Sequence, residues 1–230
     1  MMQKTTPIVL NLIIINVLAN IVQRTVTAVD ITEWGGLHYI FSPDFKPHQV
    51  ITHMFLHDEH SFAHILFNMF TLWMFGSFLE NYIGSKRFLI FYLLCGLGSA
   101  VLTQLTIPFS AETFAKSSGG AQIALDNNVD AAFVANYIKN TYVMVGASGA
   151  IMGVMVAFAY LFPNMEMYMM FIPIPVKAKY VIPVYVLIDL FGGLRQTAGD
   201  NVAHFAHLGG AIVGFIIIYT WNKTNRKTFY

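Results

Sequence analysis

The sequence is short of charge and of cysteine. Lys, Arg, Asp and Glu together make up 11% of the chain, against about 25% in an ordinary soluble domain. Thirteen basic and twelve acidic residues leave a net charge of +1. No basic field is therefore available to attract phosphate, which excludes a nucleic-acid binder. A disordered chain is excluded as well, since that class combines few apolar residues with high net charge. The one cysteine, Cys95, lies in an apolar run and permits neither a disulfide framework nor a zinc–thiolate cluster. What the chain has in excess is apolar surface: 56% of its 230 residues are hydrophobic. A soluble core of this length cannot enclose that much, and the composition is that of a polytopic membrane protein.

A helix needs about 20 mostly apolar residues to cross about 30 Å of hydrocarbon. Six stretches qualify: 8–27, 61–80, 88–108, 145–162, 178–194 and 203–222. The first is read as a retained span, because one flanking charge, Lys4, precedes it and Asn11, Asn16 and Asn20 interrupt it, unlike a signal peptide. The expected fold is an all-α membrane protein, a bundle of six transmembrane helices, with 1–230 as a single domain. Its outer loops are 28–60 and 109–141. With the N-terminus cytoplasmic, that side carries Lys4, Lys86, Arg87, Lys177, Lys179, Lys223, Arg226 and Lys227, and the other carries Arg24, Lys46, Lys116, Lys139 and Arg195. The positive-inside rule selects this orientation and returns the C-terminus to the cytoplasm. A bacterial inner membrane is the expected location. Loop 28–60, with Trp34, Phe41, Phe45, Met54, Phe55 and Leu56 among charges, suits an interfacial segment. Loop 109–141 is poor in large apolar residues, contains Ser117-Ser118-Gly119-Gly120, and reads as a flexible insertion.

Polar groups at membrane depth point to function. The second stretch opens with His64-Ile65-Leu66-Phe67-Asn68, the fourth with Gly146-Ala147-Ser148-Gly149, and the sixth contains His207-Leu208-Gly209-Gly210. Each has a plain structural reading: glycines at four-residue spacing let helices pack closely, and a membrane serine often bonds back to its own helix. Depth argues for more. At about 1.5 Å per residue, Ser148 and His207 each lie about 21 Å from the cytoplasmic end of their stretches, and His64 and Asn68 about 24 and 18 Å. Four polar side chains thus share one layer. A serine hydroxyl needs an imidazole to take its proton before it attacks a carbonyl, and Ser148 and His207 supply that pair. The oxyanion formed needs fixed donors, which His64, Asn68 and the Ser148 backbone N–H can provide. Gly146 and Gly149 leave room for a substrate backbone, and Gly210 lets the sixth helix approach the fourth. Asp189 is the intramembrane carboxylate available to orient His207, but no spacing ties the two together.

These motifs resemble those of the rhomboid intramembrane serine proteases. Gly146-Ala147-Ser148-Gly149 is similar to the family's G-x-S-G nucleophile motif. His207 through Gly214 is similar to its H-x-x-G-x-x-x-G motif, and His64 to Asn68 to its H-x-x-x-N element; Glu80 and Gly84 match an acidic residue and a glycine at the end of the second span. The resemblance implies a Ser–His dyad without a catalytic aspartate and with neither cofactor nor metal. It implies membrane-protein substrates, cut in the lipid bilayer near the outer end of a transmembrane segment, with Tyr180 to Leu194 as a lateral gate. This chain departs from the family at Met152, where an aromatic residue often packs on the base. Trp34 is followed by Gly35 rather than Arg, and 109–141 is longer than in many members.

Three rival readings remain open. His53 and His57 have the spacing of paired metal ligands, with Asp58, Glu59 and His60 beside them, but lack the glutamate of a zincin. A catalytically inactive rhomboid-like protein that binds membrane clients would need neither Ser148 nor His207. A transporter would bring paired intramembrane charges and an inverted repeat, and neither is present in the sequence.

Overall fold

The computed structural model describes residues 6–168, 175–195 and 203–224; Lys4, Arg226 and Lys227, counted in the charge audit, lie outside them. The first helix, α1 (Pro7–Thr25), starts on a proline, whose fixed φ suits a first turn. It buries Val9, Leu12, Asn16, Asn20 and Gln23 while Leu10, Ile14, Leu18 and Ile21 stay exposed. The polar stripe therefore faces protein and the apolar faces are left for lipid, and Asn16 returns its amide to the Leu12 carbonyl at 2.7 Å. The next span, α2 (Phe62–Ile83), is capped by Ser61, whose Oγ accepts from the His64 N–H at 3.3 Å. A π-helical turn at Leu72–Gly76 interrupts it.

At the end of α2 the buried Glu80 carboxylate accepts from the Thr6 hydroxyl, from the Ile8 and Val9 backbone N–H groups at 3.1 and 2.9 Å and from Ser85 Oγ at 2.6 Å. The Ile8 and Val9 N–H groups are first-turn donors that α1 cannot satisfy internally. One carboxylate thus caps α1 from a different helix and fixes three chain segments at one end of the bundle. Gly84, at φ +84°, makes the sharp turn into α3 (Ser85–Ala115). Trp221, from the last helix, reaches this same end and sits 6.2 Å from the Phe91 ring.

With 31 residues, α3 rises about 47 Å, more than the ~30 Å of a hydrocarbon core, and its last turns lead into the 109–141 segment. There it is followed by α4 (Ser118–Asn127) and α5 (Ala131–Thr141). Ser117 and Asp130 cap these helices through Gly120 N–H and Phe133 N–H at 3.3 and 2.7 Å. Ala111, Ala115, Val134 and Ala135 form a small core of their own. The expected flexible insertion is therefore a helical extension. It buries alanine and valine instead of large side chains, which hid it from a reading based on hydrophobic size.

The chain then enters α6 (Ser148–Leu161), α7 (Ala178–Arg195) and α8 (His204–Thr224). Among the described residues four helices, α1, α2, α3 and α8, are long and apolar enough to cross a membrane. At 14 residues, α6 rises only about 21 Å, and six crossings are not established by helix length among the described residues. Nor is the fold purely helical. Strand β1 (Leu37–His38) pairs antiparallel with β2 (Val143–Met144), and β3 (Glu166–Tyr168) with β4 (Pro175–Lys177). The first ribbon ties the outer loop to the segment just before Ser148. That loop also behaves as two halves: Trp34, Ile40 and Phe41 are exposed, whereas Met54 and Leu56 are buried in the protein.

Glycine contacts set the positions of α3, α6 and α8. A Cβ on Gly210 would lie 1.8 Å from the Gly149 carbonyl oxygen. One on Gly214 would lie 2.6 Å from Gly153 Cα, and one on Gly209 2.4 Å from the Gly98 carbonyl oxygen. Backbones meet directly at all three places, as small-residue stripes in membrane helices allow.

Candidate active site

The α6–α8 crossing determines the site, because Gly149 and Gly210 each adjoin a candidate reacting residue. Ser148 is the first residue of α6, so its N–H has no carbonyl one turn earlier in the helix and is available as a donor. Before it, Gly146 has φ +129°, a conformation that side chains rarely adopt, and its N–H donates to the His53 carbonyl at 2.9 Å. A Cβ there would stand 3.2 Å from His64 Nε2 and 3.5 Å from Ser148 Oγ. His64, Gly146 and Ser148 thus form one wall.

The state of the His64 ring follows from its neighbours. The Asp58 backbone N–H donates to His64 Nδ1 at 3.3 Å, so Nδ1 holds a lone pair and Nε2, on the Gly146 side, carries the hydrogen. His57 packs edge-on beneath that ring with centroids 5.1 Å apart. The Asn68 side chain, one turn further along α2, is buried, and its Nδ2 has no protein acceptor among the described residues. Of the two α2 side chains, His64 thus stands at Gly146, and Asn68 is buried one turn further along the helix.

On α8 the geometry departs from expectation. His207 Nδ1 lies 3.0 Å from Asp189 Oδ1, and His204 Nδ1, one turn earlier, lies 2.8 Å from the same oxygen. Asp189 is buried on α7, which otherwise buries only Ala178, Ile182 and Gly193. A histidine without a carboxylate partner is thus not what the structure contains. Sequence spacing could not make this link, since the two residues are on separate helices. The available signal was a lone carboxylate in an apolar helix, costly unless paired. His204, a turn from His207 on the same face, was missed for the same reason. Among the described residues no hydrogen bond joins Ser148 Oγ to His207. Met152, where the family places an aromatic, is buried on α6.

Among the described residues His53 and His57 belong to no group of donors close enough to share a cation. His53 Nδ1 donates to the Gln49 carbonyl at 2.8 Å. The His57 backbone is clasped by Gln23, which donates to its carbonyl at 2.9 Å and accepts its N–H at 3.0 Å. Burial pushes both imidazoles down to about 4, with His64 as the second cause for His57, so both are neutral packing groups. Among the described residues the donors close enough to share a cation are those of Glu33, His38 and Asp44 in the outer loop, and they include neither histidine. A cavity of about 550 Å³ opens beside His64 and His204, walled by α3, α5 and the β2 segment, with Tyr142 and Phe114 on its lining.

The family model for the Rhomboid domain matches residues 44–223. RHOMBOID-like protein 12, mitochondrial, of Arabidopsis thaliana is 31% identical over 183 residues, which are 79% of this chain and 48% of that protein. Rhomboid protein 1, mitochondrial, of Saccharomyces cerevisiae is 28% identical over 75% of this chain and 40% of its own length. Rhomboid protease GluP of Bacillus subtilis is 27% identical over 66% of this chain and 22% of its own length. The chain spans less than half the length of each of these relatives. Two are mitochondrial by name and one comes from a bacterium, so the similarity gives no support to a bacterial inner membrane in particular.

Proposed function

The chain belongs to the rhomboid family, and from that premise we propose that it is an intramembrane serine endopeptidase acting on membrane-protein substrates. Ser148 is the nucleophile and His207 the general base. His207 Nε2 takes the hydroxyl proton as Ser148 Oγ attacks the scissile carbonyl, and it returns that proton to the leaving amine when the C–N bond breaks. Water then attacks the acyl-serine with the same base. The oxyanion of each tetrahedral intermediate accepts from His64 Nε2–H, Asn68 Nδ2–H and the Ser148 backbone N–H. Groups held in advance in this way stabilise charge without reorganising.

The observation that carries this reading is the backbone contact of Gly210 with Gly149. It brings together the outer turns of the two helices that bear Ser148 and His207, with the His64 donor across Gly146. The chain crosses the bilayer six times in this reading, with α6 and α7 as short or tilted crossings. The end marked by Lys86, Arg87 and Lys223 faces the cytoplasm.

The test is labelling by a fluorophosphonate, together with cleavage of a single-span substrate in liposomes. Wild type is expected to label and to cleave, Ser148→Ala to do neither, and a chelator to change nothing. Well-folded wild type that neither labels nor cleaves would point instead to a client-binding role.

A further inference from the structure

We propose that Asp189 is a positioning residue for the base: it selects the His207 tautomer that can deprotonate Ser148, and it makes that selection depend on where α7 sits. This rests on the protease reading above. A carboxylate accepts hydrogen bonds and does not donate them. With Oδ1 at 3.0 Å from His207 Nδ1 and 2.8 Å from His204 Nδ1, both Nδ1 atoms carry hydrogen. In a neutral imidazole the lone pair then falls on Nε2. That is the nitrogen a base must present to a serine, and the opposite tautomer has no lone pair there to offer. The structure supplies this selection through a hydrogen bond where an aromatic side chain would give packing alone.

The second part follows from how α7 is held. Its exposed face carries Val184, Leu187, Ile188, Phe191 and Leu194. Its buried stripe is Ala178, Ile182, Asp189 and Gly193, and Gly193 lies against Phe205 and His204, with a would-be Cβ 3.2 Å from the Phe205 ring. Asp189 is the charged member of that stripe, and it bonds to two imidazoles one turn apart on α8. Because Asp189 is on one helix and both imidazoles are on another, an outward displacement of α7 stretches both bonds at once. The tautomer is then released together with the helix. His204 shares the oxygen, so its bond is lost along with that of His207.

The experiment uses the full chain in liposomes or nanodiscs. In wild type, nitrogen NMR of ring-labelled histidine at neutral pH should place the His207 proton on Nδ1; a proton on Nε2 would overturn the proposal without any variant. Asp189→Asn, nearly the same shape, should lower kcat by about 100- to 10,000-fold, the scale seen when the carboxylate of a serine triad is replaced. KM should change little, and fluorophosphonate labelling should slow in parallel. Asp189→Glu should recover part of the rate. An Asp189→Asn enzyme within threefold of wild type in kcat, while Ser148→Ala is dead, would sink the positioning role and leave the protease reading standing. Full activity in Ser148→Ala would sink the protease reading itself.

Discussion

At the scale of single residues the site depends on donors whose hydrogens are fixed by neighbours. His64 donates from Nε2 because the Asp58 N–H occupies Nδ1, and Asn68 Nδ2 has no partner among the described residues. In the proposed mechanism each supplies an oxyanion donor, so with either replaced by alanine kcat for cleavage in liposomes should fall about 10- to 1,000-fold, with His207→Ala losing nearly everything. Gly146→Ala should also inactivate. At φ +129° the added methyl is strained, and it stands 3.2 Å from the ring nitrogen that must donate. Its signature would be lost labelling together with a lowered unfolding midpoint. Of these residues, His64, Asn68, Gly146, Ser148 and His207 are legible in the sequence, since each belongs to a short motif on one helix. Asp189 is not, because its partners are on another helix and no local spacing encodes the meeting.

At the scale of elements, helices are joined by contacts too short for a side chain. Gly210→Ala places a methyl 1.8 Å from the Gly149 carbonyl oxygen, and neither backbone can yield without separating α6 from α8. A cost of about 3 kcal/mol is expected from overpacking of this kind, read as a lowered midpoint in detergent unfolding together with lost proteolysis. Glu80 acts at the opposite end. Glu80→Ala leaves the Ile8 and Val9 N–H groups and the Ser85 hydroxyl without their acceptor. The loss should be about 3 kcal/mol, while the catalytic groups, at the other end of the bundle, stay in place. Activity per folded molecule should therefore survive, which separates this variant from Gly210→Ala.

For the whole molecule, the outer loop adds a dependence on pH. His53 and His57 are pushed down to about 4, below the usual value of about 6.5. Between those values the unfolded chain binds protons that the folded chain refuses. Their contribution to stability is full above about pH 6.5 and is lost as pH falls toward about 4. Unfolding midpoints measured across that range should drop on acidification, and a flat profile would contradict the assignment. Orientation can be tested with the one native cysteine, which is buried. An Arg87→Cys variant should react with an impermeant thiol reagent only from the side that holds the α2–α3 turn, taken here as cytoplasmic. Reaction from the other face would invert the topology.

By itself the sequence determined the medium and the layer of the chemistry. So little charge among so many apolar residues leaves only a membrane, and helix rise per residue converts motif positions into depth. It also supplied the serine, the histidine and the two α2 side chains of the proposed site, because each motif is local. The helical form of 109–141 was hidden, since its helices are held by small alanines and polar caps instead of a strong apolar stripe. The pairing of β1 with β2 and the clasp of Asp189 on His207 and His204 were decided only in three dimensions. Those contacts join residues distant in the chain, and the energy that selects them comes from packing whole helices together.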